Sequence, residues 1–263
     1  METYPMVVDL SHWDPASDYN KVKGAGIYGV IFKATEGTSY TDDTYVGQQH
    51  AAKAAGLLWG AYHFADASSV SKQIDNFMRF ACPDPDELFC LDWEDNSGSC
   101  MSLADAETWI TEVENQLGRP GECVIYSGNT AKEALGDSVN TFFGDRRLWL
   151  CHYTTGTPTW QKSWDNYWLW QFTDGVNGPS PHSISGIGNC DINSFDRDGG
   201  SDELTNTWAT GSADEPTPPS PPADEQVSVI VAAPPGITVK LRQITLGTTM
   251  RSKHARHLVE GKD

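Results

Sequence analysis

Eight short apolar runs recur along the chain: MVVDL (6–10), GVIFKA (29–34), LLWGAYHF (57–64), LFCLDW (88–93), CVIYS (123–127), RLWLCHY (147–153), YWLWQF (167–172) and CDINSF (190–195). Near-continuous apolarity, as opposed to clean alternation, is the signature of strands buried on both faces. Helical signals fill the early gaps. TDDTYVGQQHAAKAAG (41–56) starts with acids and stops at Gly56, and SLADAETWITEVENQLG runs from Ser102 as N-cap to Gly118. SSVSKQIDNFMRFA (68–81) puts Val70, Ile74, Phe77 and Met78 on one stripe. After residue 153 the gaps are rich in Pro, Gly and Trp and carry no good helix. The pattern predicts an α/β chain whose strands close into a parallel, TIM-like (β/α) barrel with an irregular last third, an open doubly wound sheet being the rival architecture.

Composition changes near residue 210. The barrel is expected over 1–208; a Pro-rich linker over 209–226, containing GSADEPTPPSPPADEQ, precedes a tail over 227–263 that is too short for a core of its own and whose role the sequence leaves open. A formal net charge of −18 argues against nucleic acid, which demands clustered Lys and Arg, and against an anionic membrane surface. No run is long enough to insert in a membrane, and METYPMVVDLSHW shows no signal-peptide pattern. Cys90, Cys123, Cys151 and Cys190 sit in apolar runs, where cysteine behaves as a small hydrophobe; Cys82 and Cys100 are the pair to expect if any bridge forms. No C-x-x-C or H-x-x-x-H spacing occurs, so neither a metal nor another cofactor is expected.

The chemistry gathers at the ends of the runs. In LFCLDWED, strand alternation points Asp92 and Glu94 to one side and Trp93 to the other, with Cα atoms about 6.6 Å apart. Two carboxyls sharing a small buried site raise each other's pKa, so one keeps its proton while the other ionises. Cleavage of a glycosidic bond requires that division of labour. A D-x-E alone is equally well a surface acid cluster. Asp9 in the first run, Asp191 in the last, Tyr62, Tyr126, Trp170 and Gln171 lie at corresponding ends, which is where a barrel places its active site. Trp13, Trp160, Trp164 and Trp168 are further candidates for stacking on sugar rings, Trp93 and His63 are expected in the core, and Lys33 with Glu36 forms a structural ion pair.

Taken in order, DLSHW, FKATEG, GAYHF, LDWED, VIYSG, LWQF and CDIN resemble glycoside hydrolase family 25, the Chalaropsis-type lysozymes, over residues 5–197. The resemblance implies an irregular barrel of eight strands and about five helices. It implies an N-acetylmuramidase that cuts the β-1,4 bond between N-acetylmuramic acid and N-acetylglucosamine of bacterial peptidoglycan with retained configuration. Glu94 matches the general acid and then base, and Asp92 its partner. Asp9 and Asp191 match the other active-site aspartates, and Tyr62, Tyr126 and Trp170 the cleft aromatics. Asp92 has two possible roles, covalent nucleophile or aid to attack by the substrate's own acetamido group, and its nearness to Glu94 on one strand favours the second. DLSHWDP departs from the family where many members carry an amide, so His12 and Trp13 are expected to alter a sugar contact.

Two rivals stand beside this reading. One is a non-catalytic barrel that binds peptidoglycan or chitooligosaccharides. The other is a chitinase-like glycosidase, whose longer acidic motif needs an Asp where this chain has Cys90. A wall-cutting enzyme without an evident leader suits a phage endolysin held in the host cytoplasm until release; a secreted enzyme lacking its leader is the alternative. Nothing in the sequence specifies an oligomeric state or a target bacterium.

Overall fold

The apolar runs become strands because side chains on both faces find a core. In the computed structural model, which describes residues 4–209, the barrel strands are β1 (Met6–Leu10), β2 (Ile27–Glu36), β3 (Leu58–Phe64), β4 (Leu88–Asp92), β5 (Val124–Ser127), β6 (Arg147–Cys151), β7 (Leu169–Thr173) and β8 (Asp191–Ser194). Seven are parallel neighbours in chain order; β8 lies antiparallel between β7 and β1, and β1 pairs with β2 to close the ring. The all-parallel expectation is therefore corrected at the last strand. A parallel return needs a crossover element on the outside of the sheet, and the segment between β7 and β8 forms only a small hairpin, Ser183–Ile184 with Gly188–Asn189.

Alternation splits the core in two. Val7, Ile31, Leu88, Cys90, Val124, Trp149 and Leu169 fill the bore, while Val8, Val30, Phe32, Trp59, Phe89, Leu91, Ile125 and Ile192 face the helices outside. Those helices are α1 (Tyr19–Gly24), α2 (Tyr45–Ala54), α3 (Val70–Phe80), α4 (Leu103–Leu117), α5 (Asn129–Leu135) and α6 (Thr141–Gly144). The sequence analysis placed no helix after residue 153, but α7 (Gly200–Asn206) forms there and leads Trp208 under the barrel. Trp208 is 1% exposed, donates to the Trp59 carbonyl over 2.7 Å and packs against the Trp168 ring. The Arg119 guanidinium donates to the Ala209 carbonyl and that of Arg147 to the Thr207 and Trp208 carbonyls. A stopper of aromatic rings, tied by two arginines, thus closes the floor.

All six cysteines are free thiols, including Cys82 and Cys100. Residues 210–263, on which nearly all of the linker and the whole tail fall, lie outside the described residues. No helix among the described residues is long and apolar enough to cross a membrane.

Candidate active site

The mouth of the barrel is held together by hydrogen bonds from neutral amides to buried acids. Asp9, 7% exposed, ends the inward row of β1 and sits opposite Asp191 in the β1–β8 register. Asp191 begins its strand, yet reaches the same rim as the strand ends because β8 runs the other way. Asn193, two residues on and on the same face, donates to Asp9 Oδ2 over 2.8 Å. Gln171 Nε2 on β7 donates to both Asp9 oxygens at 2.9 and 3.1 Å and only distantly, at 3.5 Å, to Asp191 Oδ2. Burial pushes both carboxyls well above their ordinary range and the Asp14 charge adds to the rise at each; the Asn193 and Gln171 amides pull Asp9 back down, whereas the charges of Asp9 and Asp174 push Asp191 further up, and the two carboxyls share a hydrogen bond. The amide donors thus favour the charged form at Asp9 over that at Asp191.

Asp92 and Glu94 occupy the next sector. The strand stops at Asp92, so Glu94 does not follow strand alternation as the sequence suggested; it stands on a bend just beyond. Trp93 between them is clamped: its N–H donates to the Tyr126 carbonyl at 2.9 Å, its carbonyl accepts from Ser127 Oγ at 2.8 Å, and its ring stacks on Phe143 outside the bore. A hairpin follows at once, Asp95–Asn96 with Ser99–Cys100, turned by Ser97 and Gly98 at φ 54° and 87°. Glu94 is thereby held partly buried at the rim above a buried neighbour. Desolvation raises the pKa of both; the charge of Glu94 adds to the rise at Asp92 and that of Asp95 to the rise at Glu94, while Lys33 opposes both. Lys33, 8% exposed, pairs with Glu36 at 2.5 Å, and Glu36 accepts from Asn96 of the hairpin at 3.0 Å. What the sequence assigned to structure alone is also the cation nearest these acids in effect. Asp92 Oδ1 is buried and has no hydrogen-bond partner among the described residues.

The aromatic candidates divide. Tyr62 lines the bore beside the acids, and Tyr126 sits below them with its hydroxyl donating to Gln171 Oε1 at 2.8 Å. Gln171 is 1% exposed, with both ends of its amide bound inside the protein. Trp170, one residue earlier, points out of the bore and packs on Tyr167 and Phe172. Trp164 and Trp168 are 3% and 4% exposed, which removes them as sugar platforms, and Trp160 donates to the Trp164 carbonyl. Trp13 stands 84% exposed after β1, its ring 4.6 Å from that of His12, which Asp42 and Tyr40 hold at 3.0 and 2.9 Å. His63 bonds Thr35 and Gln73 behind the wall, and burial lowers its pKa to about 4.

Sequence reasoning missed Asn193 and Tyr153. Asn193 could have been found from its two-residue spacing to Asp191; Tyr153, whose hydroxyl donates to Gln171 Oε1 at 2.7 Å, lies just past β6 where no strand period reaches. Two carboxyl groups sharing a raised pKa, one partly buried at the rim and one buried beneath it, can between them hold a proton to deliver and a negative charge to set against a developing positive one.

Known proteins carry the same frame. The family model described as Glycosyl hydrolases family 25 matches residues 8–180. Lysozyme M1 of Streptomyces globisporus is 30% identical over 178 residues, covering 63% of this chain and 60% of its own length, so this chain spans under two thirds of that relative. N,O-diacetylmuramidase of Chalaropsis sp is 26% identical over 197 residues, 68% of this chain and 92% of the relative. The crystal structure of the bacterial lysozyme from Streptomyces coelicolor superposes with a TM-score of 0.67 at 26% identity, covering 80% of this chain and 99% of that one.

Proposed function

Given that the chain belongs to glycosyl hydrolase family 25, we infer that it is a muramidase that hydrolyses the β-1,4 bond between N-acetylmuramic acid and N-acetylglucosamine in bacterial peptidoglycan, with help from the substrate's own acetamido group. The observation that carries the mechanism is the buried, unpartnered Asp92 Oδ1 two residues before Glu94. A carboxylate oxygen away from water without a donor is costly, and the N–H of a 2-acetamido group is a donor of suitable chemistry. Bound there, the acetamido carbonyl turns toward the anomeric carbon.

Glu94, whose pKa is raised by burial and by the Asp95 charge, gives its proton to the leaving oxygen as the carbonyl oxygen attacks and the glycosidic bond breaks. Asp92 offsets the positive charge on the resulting oxazolinium ring. Glu94, now a carboxylate, takes a proton from the water that opens the ring, and two inversions give net retention. The Asp9–Asp191 pair lies alongside.

Mass spectrometry of products from purified peptidoglycan tests the reaction. Reducing N-acetylmuramic acid ends are expected; reducing N-acetylglucosamine ends or freed peptides refute it. Glu94→Gln should lower the rate by about 10²–10⁴, the usual worth of a general acid, and an unchanged rate removes Glu94 from the role. Inhibition by a thiazoline mimic of the oxazolinium ion, with no carboxylate labelled by a 2-fluoro glycoside, is the outcome expected of acetamido participation.

A further inference from the structure

We propose that Gln171 and Tyr153 are positioning residues: two phenol hydroxyls donate to the Gln171 amide oxygen while its nitrogen donates to Asp9, and this arrangement biases which member of the Asp9–Asp191 pair carries the negative charge. The proposal rests on the muramidase reading only for its kinetic consequence; the charge assignment itself stands on the geometry.

An amide has one accepting and one donating end, and which end faces a neighbour is decided by its partners. Gln171 Oε1 accepts from Tyr126 at 2.8 Å on β5 and from Tyr153 at 2.7 Å beyond β6. Reversing the amide would set its oxygen against the Asp9 carboxylate at about the 2.9 Å now occupied by Nε2. With both acceptor positions of Oε1 used, Nε2 gives its hydrogens to Asp9 Oδ1 and Oδ2, and Asn193 Nδ2 adds another to Oδ2 at 2.8 Å. From these amides Asp191 gets only the 3.5 Å contact, its other bond being to Asp9 itself. Donors gather on one carboxyl, and the facing carboxyl keeps the proton. Asn193 is itself fixed, because its oxygen accepts from Trp149 Nε1 at 2.5 Å and its nitrogen also donates to the Val7 carbonyl. Asn193, oriented by the donor-only Trp149 indole, and Gln171, held by two phenols, both aim their donors at Asp9 and impose asymmetry on what would otherwise be an exchangeable pair.

Other groups act on the pair from every side: Asp14 and Asp174 from loops, Asp92 from β4, Tyr62 from β3, and the thiols of Cys151 and Cys190. Asp14 disfavours ionisation of both members and Asp174 that of Asp191, so the loop charges reinforce the bias that the amides set.

Carboxyl-carbon NMR of the full chain, with Asp9→Asn and Asp191→Asn used to assign signals, tests the idea. In the unaltered protein Asp9 should titrate below Asp191; the reverse order overturns the proposal without any further variant. Tyr153→Phe removes one of the two oxygen donors with little change of shape. The two titrations should then draw together, with a shift of about half a pH unit or more in one of them and in the pH profile of kcat/KM. Gln171→Glu, which keeps the shape but alters the proton count, should shift the profile by more. Unmoved titrations in Tyr153→Phe reduce the phenol to packing and overturn its part. If the protein cuts no peptidoglycan yet the titration order holds, the muramidase reading fails and this one stands.

Discussion

Asp191 shows what a buried acid costs its own fold. Its pKa is raised, so the folded protein binds this proton more tightly than the unfolded chain does. The stabilisation is complete below the unfolded value, about 4, and is lost as pH rises through the folded pKa. Asp191→Asn should consequently raise stability by about 1–2 kcal/mol at pH 8 and leave it nearly unchanged at pH 3.5, read from urea midpoints at each pH. Active-site acids held against their preference commonly give such a trade between stability and activity. At this scale Asp9, Asp92, Glu94 and Asp191 were readable because acids at the ends of apolar runs are conspicuous. Asn193 and Tyr153 were not, since an amide or a phenol near a run end looks like ordinary capping until the partner across the bore is known.

Helix α4 was the element best foreseen. Ser102 Oγ accepts from the Asp105 N–H at 3.2 Å and its hydroxyl donates to the Asp105 carboxylate at 2.8 Å, and Gly118 ends the helix at φ 69°. A Cβ on Gly118 would meet nothing within 4 Å, so only the left-handed backbone opposes a side chain there. Gly118→Ala should then cost about 1 kcal/mol, seen as a modest fall in Tm with unchanged activity. Strand β8 is the opposite case. Its apolar run was found, but a run carries no direction; orientation is set by the connection, and an irregular loop does not announce one. The hairpin after Glu94 went unseen for a related reason, since its strands are two residues each and leave no period to read.

Charge acts on the molecule as a whole. A chain of net charge −18 approaching a polyanionic wall is repelled at low ionic strength. Raising salt from about 10 to 150 mM shortens the screening length from about 30 to 8 Å. Lysis of intact walls should accelerate severalfold over that range while cleavage of a short soluble oligosaccharide of alternating N-acetylglucosamine and N-acetylmuramic acid changes little; turbidity and reducing-end assays separate the two. The floor is the other global feature. Trp208→Ala should cost about 3–5 kcal/mol, with a matching drop in the denaturation midpoint, although Trp208 touches none of the acids named above. The sequence marked a boundary near this residue from composition, but not that the last residues before it complete the core.

That stopper binds two distant parts of the chain to a common fate. A methyl group on Gly29 would lie 2.6 Å from the Trp208 ring, with no exit through the packed floor. Neither position can drift on its own: a larger residue at 29 is admissible only where 208 has already shrunk. Across descendants of this gene the two sites should be inherited as a couple, Gly with Trp or bulkier with smaller, and the mixed combinations should be the ones that are missing.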